Sequence, residues 1–148
     1  AYLGEASKMV RERSQGLRSL YVRTLKHLFA IGVPLIGIPA LFAPFVTPFI
    51  FGGAWTEAGW YCWPLAVIAI VGFACSPTSF LHLYGYNSWK FIFDVTRILG
   101  VIAGFYLCKL FATDVLTTLF MYSIVIVTMY FIMIKLNLKA IYNFTQST

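Results

Sequence analysis

The 148-residue chain predicts an all-α fold: a polytopic helical membrane protein with four transmembrane helices. Three observations carry that expectation. Hydrophobic residues make up 60% of the sequence and charged residues only 11%, with a mean hydropathy of +0.82, whereas a soluble domain carries roughly 25% charged residues. The apolar residues gather into four runs, each long enough as a helix to cross a ~30 Å hydrocarbon slab. The positive charge is uneven, six of the eleven Lys and Arg falling in the first 26 residues, beside the first run. A net charge of +6 distributed in this way is a topology signal and not a nucleic-acid surface, so no nucleic-acid partner is expected.

The stretch Phe51 to Ser79 sets the direction of every other segment. It opens with a glycine-rich turn that carries Glu57 and no Lys or Arg, followed by Trp55, Trp60, Tyr61 and Trp63. Aromatic rings with one polar edge collect where hydrocarbon meets headgroups. A turn without cations, between two apolar stretches, belongs on the non-cytoplasmic side.

In chain order, residues 1–26 are polar and basic. Leu17, Leu20, Tyr21, Thr24, Leu25 and Leu28 recur at helical spacing, with Arg18, Arg23 and Lys26 beside or opposite them. This reads as a cytoplasmic amphipathic lead-in, which anchors the topology or touches anionic lipid or an anionic headgroup. The first span, about 27–51, holds Pro34, Pro39, Pro44 and Pro48. Each proline lacks an N–H and crowds the carbonyl one turn earlier, so the helix is expected to bend or loosen at several points. That predicts either a deformable element of a shape-changing transporter or a statically kinked packing helix. The second span, about 63–83, ends in Cys75-Ser76-Pro77-Thr78-Ser79, where hydroxyls can satisfy the carbonyl freed by Pro77.

The third span, about 89–110, carries the most informative charges. Lys90, Asp94 and Arg97 are spaced i, i+4, i+7, on one helix face that Val101, Gly104 and Cys108 continue. A central arginine costs ~2.5–3.5 kcal/mol on insertion scales, so one retained there faces protein or water. The trio is therefore a candidate substrate-binding site, a cationic spot able to hold a phosphate, with Asp94 as partner. The alternative is an intrahelical pair near the interface that serves folding only. The fourth span, about 115–134, lacks Gly and Pro, and Lys135 and Lys139 place residues 135–148 in the cytoplasm. Both termini of the segment are thus expected inside.

Catalytic chemistry has little to stand on. Cys62, Cys75 and Cys108 are widely spaced, and His27 and His82 are isolated, so no disulfide framework or metal site is expected. No nucleophile set, phosphate-cradling loop or acid pair emerges, so neither an enzyme nor a cofactor is expected. Asn143-Phe144-Thr145 matches a glycosylation sequon on the side where it has no meaning.

Ile50-Phe51-Gly52-Gly53-Ala54-Trp55, Ala58-Gly59, the apolar helix, Ser76-Pro77 with Ser79, and a next helix entered through Lys90 resemble polysaccharide flippases of the O-antigen (Wzx) type. These belong to the multidrug/oligosaccharidyl-lipid/polysaccharide (MOP) exporter superfamily. Arg18 to Arg23 ahead of a proline-containing span, with Ala43-Pro44 near its outer end, fits the same pattern. The resemblance implies a two-lobed bundle of twelve or more helices in the bacterial inner membrane, these four being the last of the C-terminal lobe. It implies transport of an undecaprenyl-diphosphate-linked oligosaccharide by alternating access, with Pro34, Pro39, Pro44 and Pro77 as conformational positions. Arg97, with Lys90, is where this sequence can supply charge for the pyrophosphate. The implied partners are the lipid-linked oligosaccharide, membrane lipids and the N-terminal helices of a longer protein; a chain that begins at Ala1 and not Met fits a fragment. Two other readings stay open: a complete small four-helix carrier of the GtrA-like kind, and a non-transporting structural subunit with Asp94 and Arg97 pairing across helices.

Overall fold

The computed structural model describes residues 16–75 and 87–146, with Gly4 and Lys8; of Thr145 only the backbone is described. All regular structure among the described residues is helical, and four helices are long and apolar enough to cross a membrane. The protein is thus an all-α, multi-pass membrane protein. Pro77, together with Ser76, Thr78, Ser79 and His82, lies outside the described residues.

Helix α1 (Leu17–Gly32), a π-helical turn (Val33–Gly37) and helix α2 (Ile38–Phe51) form one rod. At 35 residues and ~1.5 Å per residue the rod is about 52 Å long, well beyond a ~30 Å slab, so its basic first turns reach past the hydrocarbon. From Leu17 on, the lead-in and first span are therefore one helix, with no break near residue 26. Of the four prolines expected to loosen the rod, Pro34 sits in the π turn. Pro39 follows directly on that turn, and Pro44 and Pro48 stay inside regular α-helix. Loosening is confined to one turn, as is usual for a single-turn π-bulge.

Gly52 ends α2 with φ 92° and ψ 165°, a conformation essentially reserved for glycine. A 3-10 turn (Gly53–Trp55) then leads directly into α3 (Thr56–Cys75). The Trp55 N–H donates to the Gly52 carbonyl at 3.0 Å, and the Thr56 hydroxyl donates to the Gly53 carbonyl at 2.7 Å. The second helix thus begins at Thr56, earlier than the expected 63. Trp60, Tyr61 and Trp63 lie on its first two turns, not in a loop, because interfacial aromatics are as well placed on a protruding helix end as on a turn. Glu57 in that first turn also complements the helix dipole.

Helix α3 packs against α1, α2 and α5 (Val115–Gln146), while α4 (Asn87–Leu110) lies beside α5. Helix α3 is apolar on every side because the faces it does not pack, with Leu65 and Val67 exposed on them, meet lipid. Helices approach closely where side chains are small. A methyl group on Gly59 would lie 2.6 Å from the Pro44 Cα, one on Gly32 3.0 Å from the Phe73 ring, and one on Gly72 3.3 Å from the Tyr130 hydroxyl. Glycine at such positions lets packing in lipid, where no hydrophobic effect drives helices together, proceed by close contact.

Helix α5 does not end near residue 134. It continues to Gln146, because Met133, Ala140 and Ile141 prolong its buried stripe and meet Leu17 and Tyr21 of α1. Phe93 of α4 enters the same cluster. The segment read as a tail is therefore a packed helix that holds the first turns of α1.

Candidate functional site

The cluster of Leu17, Tyr21, Phe93, Met133, Ala140 and Ile141 brings the N-terminal ends of α1 and α4 and the C-terminal end of α5 to one level. The cations on those turns are thereby gathered at one end of the bundle. Arg18, Arg23 and Lys26 are exposed along one face of α1, on the side away from buried Leu17 and Tyr21. Lys135 and Lys139 are exposed on α5. The opposite end carries Glu57 and Asp114, which with Trp60 and Tyr61 line a hollow of about 400 Å³.

Lys90, Asp94 and Arg97 lie on α4 as their spacing predicts. Lys90 Nζ donates to Asp94 Oδ2 at 3.0 Å, whereas Arg97 Nη2 stands 3.7 Å from Asp94 Oδ1. Among the described residues Arg97 makes no hydrogen bond, so the single carboxylate is engaged by Lys90 and only loosely by the guanidinium. Two cations against one anion leave one positive charge in the trio. Their side chains are each between 37% and 40% exposed, so solvent screening reduces the worth of these pairs to the range of surface ion pairs. Both pairs lie within one helix and not across helices.

Below Arg97 the face closes. A methyl group on Gly100 would meet Met129 at 3.4 Å, and one on Gly104 would meet Val125 at 3.8 Å. Cys108 is buried and borders the same small space as Val125. What remains is a space of about 10 Å³ bordered by Val101, Gly104, Cys108, Thr118 and Tyr122, room for about one water. The face that runs from Arg97 to Cys108 is a helix contact, and an open surface is present only at its cationic start.

Other polar groups serve packing. The buried Ser123 hydroxyl donates to the Pro64 carbonyl at 2.8 Å, tying α5 to α3. Buried Asn137 donates from Nδ2 to the Met133 carbonyl at 2.9 Å, and its Oδ1 has no partner among the described residues. At the opposite end the Thr117 hydroxyl, reinforced by the N–H groups of Thr117, Leu116 and Asp114 itself, holds the Asp114 carboxyl below the usual carboxylate range against desolvation. Asp114 is thus the N-cap of α5.

One pairing escaped sequence reading. Lys139 places its ammonium 5.6 Å from the centre of the Trp89 ring, across the α4–α5 boundary. The only available hint was that both residues sit at the basic end of their helices. No protein-family model, curated protein sequence or solved structure matches the chain, so its residues and their geometry carry the functional argument.

Proposed function

We propose that the chain is the C-terminal part of a membrane transporter that flips an undecaprenyl-diphosphate-linked oligosaccharide across the bacterial inner membrane by alternating access. The observation that carries this reading is Arg97, whose guanidinium lies 3.7 Å from its nearest carboxylate oxygen, in a trio that keeps one positive charge. Arg97 lies roughly 10 Å along the helix from Lys90. A cation held in an apolar span with loose internal neutralisation suits a transient anion such as a pyrophosphate.

Three further features support the reading. The basic residues of α1 and α5, with Lys90 and Arg97 of α4, share one end, while Lys109 lies at the other beside Asp114; on the positive-inside rule the richer end is the cytoplasmic side where such a substrate is loaded. The π turn at Pro34 places a deformable point in the first rod. The resemblance of the Gly52–Trp55 turn, Ala58-Gly59 and the Lys90 entry to O-antigen flippases points the same way. Four helices do not enclose a two-lobed cavity, so this reading assigns the remaining helices to the same protein.

The test is Arg97→Gln in the full-length protein in its own cell. Lost surface polysaccharide at normal protein level supports transport through this residue. Normal polysaccharide overturns it, and loss of the protein itself assigns Arg97 to folding.

A further inference from the structure

At the basic end a groove of about 220 Å³ runs between α4 and α5, walled by Trp89, Ile92, Phe93 and Thr96 on one side and Met129, Ile132 and Leu136 on the other. We propose that this groove is a binding site for an anionic phospholipid of the surrounding bilayer, one acyl chain lying between the two helices and the headgroup phosphate at Lys139.

The register of the two helices carries the proposal. Met129, Ile132, Leu136 and Lys139 follow one another at helical spacing on α5, so the lysine ends the apolar stripe. On α4 the matching stripe runs from Thr96 through Ile92 to Trp89. Both stripes therefore finish at the same level, where the Lys139 ammonium lies 5.6 Å from the Trp89 ring centre. A tryptophan marks the headgroup boundary. The cation–π contact keeps the ammonium at the groove mouth instead of leaving it free to swing into water. Among the described residues Lys139 forms no ion pair, and the one described carboxylate near the head of α4, Asp94, is engaged by Lys90 and Arg97. An apolar slot that ends in a positive charge at headgroup depth matches the two ends of an anionic phospholipid.

The walls distinguish a lipid chain from another protein helix. The tightest approaches between helices among the described residues involve glycine: Gly59 on Pro44, Gly32 on Phe73, Gly100 on Met129. The groove has no glycine or alanine in its lining, so a second backbone has no place to approach closely. A flexible chain needs no such approach, and branched and thioether side chains adapt to it. The site is independent of the proposed transport: it uses neither Arg97 nor any substrate.

The experiment uses the intact protein in vesicles, with Trp55, Trp60, Trp63 and any other tryptophan replaced by Phe so that Trp89 is the sole fluorophore. Its quenching is compared between brominated phosphatidylglycerol and brominated phosphatidylcholine. An anionic preference of about fivefold is expected, the attraction of one lysine near a membrane surface. It should collapse to parity in Lys139→Gln, persist in Lys139→Arg, and be unchanged in Lys109→Gln at the opposite end. Ile132→Phe, which fills the slot, should reduce quenching by both lipids with helicity intact. Equal quenching by the two lipids, or a preference that survives Lys139→Gln, overturns the proposal. So does a Trp89 that neither lipid quenches, which would mean that another protein segment covers the groove.

Discussion

Gly59 of α3 lies against Pro44 of α2 so closely that a single added methyl would sit 2.6 Å from the Pro44 Cα and 2.8 Å from the Ala43 carbonyl oxygen. The obstacle is backbone on both counts, so no rotamer change relieves it. Gly59→Ala is expected to force the α2–α3 hairpin apart and cost about 1–3 kcal/mol, the range for overpacking a filled contact. Gly53→Ala, with nothing within 4 Å and no positive φ, is the matched control and should change little. Thermal unfolding of the two variants in the same detergent checks the pair; equal melting temperatures would refute the close contact.

The Ser123 hydroxyl ties α5 to α3, its single proton shared between the Pro64 carbonyl at 2.8 Å and the Leu119 carbonyl of its own helix at 2.9 Å. Ser123→Ala should cost about 0.6 kcal/mol and at most about 1.7, the measured span for such bonds between membrane helices. The loss should appear in α3–α5 separation, read by distance labels on those helices. A cost near 3 kcal/mol would point to a cavity effect instead.

The turn between α4 and α5 contains Ala112 at φ 47°, a left-handed conformation. Its N–H donates to the Lys109 carbonyl at 3.3 Å, and the Thr113 N–H donates to the Cys108 carbonyl at 3.1 Å. This is the Schellman pattern, in which the left-handed position is usually glycine. An L-residue there costs ~1–2 kcal/mol, part of which Gly returns through its more flexible unfolded chain. Ala112→Gly is therefore expected to raise the melting temperature slightly. Gly52→Ala, at φ 92°, should lower it. Shifts of the same sign in both would contradict the backbone geometry.

Asp114 caps α5 with a carboxyl whose pKa is lowered, first by the Thr117 hydroxyl. A depressed acid contributes stability that is present above its unfolded pKa and is lost as pH falls through the folded one. The melting temperature should thus decline on acidification below the ordinary aspartate range. Because the group is fully exposed, the effect is small. Asp114→Asn keeps a capping oxygen but has no proton to take up, so its profile should lack that acid component. An unchanged acid limb in Asp114→Asn would assign the dependence to another carboxylate.

How much of this was legible in the sequence varies with the distance over which each feature is decided. The four spans were, because twenty consecutive apolar residues are a local property and lipid leaves the backbone no alternative to helix. The Lys90, Asp94, Arg97 row was also legible, since three residues within two turns share a face in any helix. Helix ends were not. The start of α3 at Thr56 depends on the Gly52 turn, and the extension of α5 to Gln146 depends on Leu17 and Tyr21, more than a hundred residues away in sequence. Charges near Glu57 and Lys135 read as boundaries, yet helices run through them once a packing partner is present.

Composition, period and the placement of Lys and Arg by themselves determined the membrane class, the number of crossings and the helix face of the candidate cations. Only the tertiary structure decided what each face meets: that the row below Arg97 closes on α5, that Lys139 reaches Trp89, and that α1 is held by the end of α5. The physical reason is that solvent preference is written residue by residue, whereas contact between two helices depends on which small side chains of separate segments come opposite one another.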